Sequence, residues 1–171
     1  MSELSQLVPD VSQVIRVTIR LLAALAVGTA IGLQRELTHK TAGLRTHMLV
    51  SLGTALFVVG AAETGMQTES LTRILQGIAT GIGFLGGGAI LKMTDQREVH
   101  GLTTAAGIWM TAAASAIAGL GQIMVAILGT VLGLLVLTVF RQLETRFGLH
   151  NHADKENHSH APVKTRREDD E

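Results

Sequence analysis

The chain has no cysteine, few aromatic residues and no surplus of either charge. Without cysteine there is no disulfide framework, no thiolate metal site and no cysteine nucleophile. Aromatics at 3% are thin for a soluble core in a chain of 171 residues. Fourteen Lys+Arg balance 14 Asp+Glu, which argues against a broad nucleic-acid-binding surface and predicts no nucleic-acid partner.

Apolar residues make up 47% of the chain, and 19 glycines accompany them. The charge is unevenly spread. Residues 16–140 carry 13 charged side chains, and the last 31 residues carry another 13. Five apolar runs stand out: Val17–Leu33, His47–Ala62, Ile74–Leu91, Leu102–Leu120 and Ile123–Phe140. As helices they would cover roughly 24–29 Å, near the lower limit for a ~30 Å hydrocarbon core. A soluble bundle needs polar helix faces, and the third to fifth runs have almost none. The expectation is an all-α polytopic membrane protein with about five transmembrane helices and membrane lipid as a partner. It divides into an N-terminal extracytoplasmic segment (1–15), a transmembrane domain (16–147) and a disordered His-rich cytoplasmic tail (148–171). The first 15 residues hold Glu3 and Asp10 but no Lys or Arg, the reverse of a secretory signal, so the first span is expected to be retained.

Cations in the loops set the orientation. Arg35, Lys40, Arg45, Lys92, Arg97 and six more from Arg141 onward fall on one face; Arg16, Arg20 and Arg73 fall on the other. This predicts an outside N-terminus and a cytoplasmic C-terminus.

Helices in lipid associate where small residues let backbones approach. Gly28/Gly32, Gly77/Gly81, Gly83/Gly87 and Gly129/Gly133 each have the four-residue spacing that puts both glycines on one face. Gly86 and Gly88 extend the third set, and Trp109 is grouped with these packing positions. So little side-chain volume predicts that the third helix is the bundle centre, with the fourth beside it and the fifth outside against lipid. The same faces suit a homodimer. Residues 81–86 match G-x-G-x-x-G, but no strand precedes them, so a nucleotide site is not expected. A helix broken at Gly86-Gly87-Gly88 to expose backbone to an ion is a further reading.

Polar groups converge on the cytoplasmic face: Gln34, Arg35, Glu36, Arg45, Thr46, His47, Asp95, Thr103 and Thr104. Snorkelling to headgroups explains Lys40, Arg97, Arg141 and Arg146. It does not explain Glu36, which is expected to pair with Arg35, Arg45 or both, either as a structural ion pair or as part of a binding site. Thr103 and Thr104 are expected to cap the fourth helix or join that network. His47 is expected to be hydrogen-bonded at the start of its helix. In the tail, His150, His152, His158 and His160 are weak metal candidates, suited to Zn²⁺ or Ni²⁺ and poor for Mg²⁺. No metal site is expected in the membrane part, and no cofactor, although Mg²⁺ remains open as a ligand or substrate.

Four blocks in order, Gly-Leu-Gln-Arg-Glu (32–36), Ala-Gly-Leu-Arg-Thr (42–46), Gly-Ile-Gly-Phe-Leu-Gly-Gly-Gly (81–88) and Gly-Leu-Thr-Thr-Ala-Ala-Gly-Ile-Trp (101–109), resemble the signature blocks of the MgtC/SapB family. The resemblance covers roughly residues 20–140. It implies a multi-pass protein of the bacterial inner membrane linked to growth under magnesium limitation and, in pathogens, to survival inside host cells. Members are often described as magnesium transporters; regulation of other membrane proteins, ATP synthase among them, is the competing view. Carried over, the blocks single out Gln34, Arg35, Glu36, Gly43, Arg45, Thr46, Gly83, Gly86, Gly88, Thr103, Thr104 and Trp109. Two departures stand out. The roughly 30 polar residues at the end are too few for the ACT-type domain of the virulence members, and Thr103 stands where well-known members often have Asn.

No nucleophile–base pair or cofactor motif suggests an enzyme. A Mg²⁺ path needs carboxylates or carbonyls along its length, and the spans hold no Asp or Glu. A regulator acting through helix contacts is therefore expected ahead of a carrier or channel for Mg²⁺ or another ion.

Overall fold

The computed structural model describes residues 10–65, 67–91 and 101–147. Among these residues there are five helices and no strand. They are α1 (Val11–Leu37), α2 (Leu44–Glu63), α3 (Thr68–Leu91), α4 (Leu102–Gly119) and α5 (Ile123–Phe147). α1, α2 and α4 are long and apolar enough to cross a membrane, and the protein is an all-α membrane protein.

The helices outrun the apolar runs at their polar ends. α1 starts at Val11 because Asp10 caps it, accepting the Ser12 backbone N–H at 3.3 Å and the Ser12 hydroxyl at 2.6 Å. That hydroxyl holds the Asp10 carboxyl below the usual carboxylate range. At its other end α1 reaches Leu37, where the Thr38 hydroxyl donates to the Arg35 carbonyl. Hydropathy marks where a helix is apolar, whereas hydrogen bonding at the caps marks where it stops.

The chain forms two compact units, residues 1–134 and 135–171. The second is described as the last part of α5. In the first, α4 is the central helix. Ten of its 18 residues are buried, and it packs on α1, α2 and α3. Met110 of α4 also lies against Gly129 and Gly133 of α5. The expectation that α3 is central is therefore corrected. A Cβ added at Gly77, Gly81, Gly83, Gly87 or Gly88 would meet nothing within 4 Å; of this run only Gly86 has a neighbour, Ala105. α3 packs chiefly on α4, touches α2 sparsely, and leaves an apolar cavity of about 510 Å³ against α2. α3 also runs unbroken through Gly86-Gly87-Gly88. Trp109 is half exposed beside α3 instead of locking a helix contact. The outward residues of α5, Met124, Ile127, Leu128 and Val131 among them, are exposed.

The closest approach is between α1 and α2. A Cβ on Gly28 would lie 2.5 Å from Ser51 Cβ and 2.7 Å from the His47 carbonyl; one on Gly32 would lie 2.9 Å from Leu44 Cα. Gly101 turns the chain into α4 at φ +95, with the Ala89 carbonyl 2.8 Å from where a Cβ would stand. Only glycine suits that combination of left-handed backbone and contact.

Gly28→Ala must push α2 away, so it should destabilise the protein by about 1–3 kcal/mol. Gly77→Ala meets open space and should be neutral or stabilising by up to about 1 kcal/mol. Thermal unfolding of the two variants in detergent, at monomeric dilution, checks the pair.

Candidate functional site

The inward faces of α1, α2 and α4 carry their polar groups at helical spacing. On α1 the face runs Gly28, Gly32, Arg35, and on α2 His47, Ser51, Thr54. On α4 it runs Thr104, Gly107, Thr111, Ser115. Steps of three and four residues keep each series on one side of its helix. The glycines of α1 bring α2 close enough for its side chains to reach past α1 toward α4.

Arg35 is 2% exposed, and its Nη2 donates to Thr104 Oγ1 at 2.9 Å. His47 is fully buried with Nδ1 2.7 Å from Thr111 Oγ1. The Thr111 hydroxyl donates to the Gly107 carbonyl at 2.9 Å. A hydroxyl has a single proton, so with its own proton on the Gly107 carbonyl Thr111 accepts from His47 Nδ1–H. Ser51 donates to the Ala24 carbonyl. Among the described residues, four buried side-chain polar atoms have no hydrogen-bond partner in the protein: Gln34 Oε1, Arg35 Nε, His47 Nε2 and Ser115 Oγ.

Glu36 does something other than form the expected ion pair. Its Oε2 accepts the Leu44 backbone N–H at 2.9 Å, and a side chain on Gly43 would collide with it. Gly43 offers no capping side chain of its own, so a carboxylate from α1 caps α2. Arg35 is turned inward to Thr104, while Arg45, Thr46 and Thr103 are exposed. Among the described residues the one ion pair lies toward the other end of α1: Arg20 Nη1 to Glu63 Oε1 at 3.5 Å, with Gln13 donating to Glu63 at 2.8 Å. Asp95 and the tail histidines His150, His152, His158 and His160 lie outside the described residues. No group of three or more metal-ligating side chains occurs among the described ones.

Sequence reasoning therefore named Arg35, His47 and Thr104, which the fold brings together, and Glu36, which stays at the rim. It did not single out Ser51, Gly107 or the pairing of Gln13 and Arg20 with Glu63, and it took Thr111 only as a polar group of the span interior, not as a partner of His47. Thr111 was visible as a hydroxyl seven residues after Thr104, two helical turns along the same face.

The MgtC family profile matches residues 21–146. The chain belongs to the MgtC family. Among MgtC-family relatives, SrpB of Synechococcus elongatus is 42% identical over 136 residues, covering 73% of this chain and 75% of SrpB. YhiD of Escherichia coli K12, whose name makes it a candidate magnesium transporter, is 44% identical over 133 residues. That match covers 74% of this chain and 60% of YhiD. Protein MgtC of Salmonella typhimurium is 38% identical over 128 residues, covering 75% of this chain and 54% of its own length. The chain thus spans little more than half of that last relative. No solved structure matches it. Of the four MgtC-family blocks, three supply the Arg35–Thr104 and Glu36–Leu44 contacts, and the third lies along the open face of α3.

Thr104 is the acceptor for a buried guanidinium, so Thr104→Val should cost about 2–3 kcal/mol by stranding it. Thr103→Val, with the same change of shape on an exposed residue, should stay within about 0.5 kcal/mol. Thermal unfolding of both in detergent separates them.

Proposed function

We propose that this MgtC-family protein is a multi-pass protein of the bacterial inner membrane that serves adaptation to low magnesium, as a non-catalytic regulator touching other membrane proteins through its helices. The names of its relatives support the link to magnesium. The observation that carries the regulatory reading is the chemistry of the interior. Among the described residues the buried polar groups are a guanidinium, an imidazole and hydroxyls, with no carboxylate. Mg²⁺ takes oxygen ligands and gives up its water reluctantly. A buried cation in the same three-helix core repels it.

The N-terminus lies outside and the C-terminus in the cytoplasm on this reading, because the loop cations gather at the Arg35 end. The bare glycines of α3 are the surface where a partner helix or a second copy approaches, so a homodimer fits. Carriage of Mg²⁺ or another ion is the alternative. It would run between copies, where α3 offers backbone without side-chain cover.

Purified protein in proteoliposomes should give Mg²⁺ flux no greater than protein-free vesicles. Saturable flux that disappears in Arg35→Gln would make the protein a transporter. In cells, Glu36→Ala and Arg45→Ala should abolish growth support at low magnesium while membrane levels stay near the parent's. Parental growth of both variants would remove this face from the function.

A further inference from the structure

A groove lies between α2 and α3. The apolar cavity of about 510 Å³ has Gly53, Gly77 and Gly81 in its walls, and it continues into a second cavity of about 530 Å³; Val50 and Leu85 line both. A Cβ on any of these three glycines would meet nothing within 4 Å, so missing side chains make the recess. The two cavities differ in character. The first is lined by apolar residues apart from the buried Thr54. The second ends at the exposed Thr41 and Thr46, which neighbour the exposed cations Lys40 and Arg45 in the chain. Arg45 stands one turn before Leu49, which lines the first cavity, so the two share a side of α2. Glu36 reaches Leu44 from α1, whereas the groove opens on the α3 side of α2. From Thr46 to Phe57 α2 rises about 16 Å, and from Ile74 to Gly88 α3 rises about 21 Å. Half of a ~30 Å hydrocarbon core is about 15 Å, and the headgroup layer adds several more. The groove has the length of one leaflet.

We propose that this groove is a binding site for one anionic phospholipid of the leaflet at the Arg45 end. An acyl chain lies along Gly53, Gly77 and Gly81, and the phosphate meets Thr41, Thr46 and Arg45. An apolar recess at acyl depth stays dry, so hydrocarbon is what fills it. At the rim the chemistry reverses. The Thr41 and Thr46 hydroxyls are donors, and the Arg45 guanidinium adds charge-assisted donors suited to phosphate oxygens. Basic pockets between helices at a membrane surface select anionic headgroups in this way. A partner helix that crosses the membrane would run about twice the length of the groove. Gly83 and Gly87 line neither cavity, which leaves them for helix contact while the lipid occupies the side of Gly77 and Gly81. The site stands whether the protein regulates other membrane proteins or carries an ion.

Native mass spectrometry of the full chain, delipidated in detergent and titrated with phosphatidylglycerol or phosphatidylcholine, tests the site. The parent should bind one phosphatidylglycerol per chain in preference to phosphatidylcholine, and glycerol phosphate should not displace it. Arg45→Ala should weaken phosphatidylglycerol roughly fivefold, the loss expected for one cation near a headgroup. Arg73→Ala, which removes an exposed cation beside Ile74 at the far end of the groove, should leave it unchanged. Gly77→Leu puts a side chain into open space, so it should fold, keep the parent's unfolding temperature in detergent and lose the bound lipid. Equal binding of the two lipids by the parent would overturn the proposal, since the lipid would then be an unselected neighbour. Equal losses in Arg45→Ala and Arg73→Ala would overturn it too, because attraction would be general. Displacement by glycerol phosphate would reassign the rim to a free phosphate. Gly77→Leu that keeps its lipid but loses a dimer seen in the parent would give the groove to a second copy.

Discussion

The approach of α1 to α2 over Gly28 and Gly32 is the contact on which the rest depends. With hydrogen atoms in place of side chains, the two backbones come close enough for Ser51 to reach the Ala24 carbonyl and for the His47 backbone to lie against Gly28. That fixes the direction in which His47 leaves α2, toward Thr111. It also sets Arg35, one turn beyond Gly32, facing Thr104. Lipid gives no hydrophobic drive for helices to associate. Close packing and hydrogen bonds do that work, and here both are found at the same contact.

The buried guanidinium then acts as a specificity device more than a source of stability. A charge held in a membrane core is costly unless its donors are met. Arg35 meets one acceptor on α4, and only one arrangement of the three helices supplies it. The same logic separates the rim from the core. Glu36, at the end of α1, is better used capping the free N–H groups of α2 than neutralising Arg35, because those amides have no other partner and Gly43 cannot help them. The carboxylate is thus met by a helix N-terminus and the guanidinium by a hydroxyl, instead of by each other.

The open face of α3 bears on function from the opposite side. Five glycines of α3 meet no neighbour, Gly77 and Gly81 among them where they line the cavity against α2. Within a single chain this is surface without a role in packing. In an assembly it is where close approach is cheapest, which is why the regulatory reading and the ion-carrying alternative both lead to the same helix.

Much of this was legible in the chain. The five apolar runs determined five helices, since their length and lack of polar faces leave no other structure that satisfies the backbone in lipid. The blocks around Arg35, Arg45 and Thr104 determined the family. Gly28 and Gly32 were readable as a packing pair, but so were Gly77 and Gly81, with identical spacing. Glycine spacing states that a helix can be approached and is silent on whether it is. Only the tertiary structure decided that α4 is central, because centrality depends on which hydroxyls find partners: Thr104 with Arg35 and Thr111 with His47. Only it decided that Glu36 caps α2, since the competing backbone amide is invisible until the turn at Gly43 is formed. The sequence by itself determined which groups must be satisfied, and the packing of three helices determined by whom.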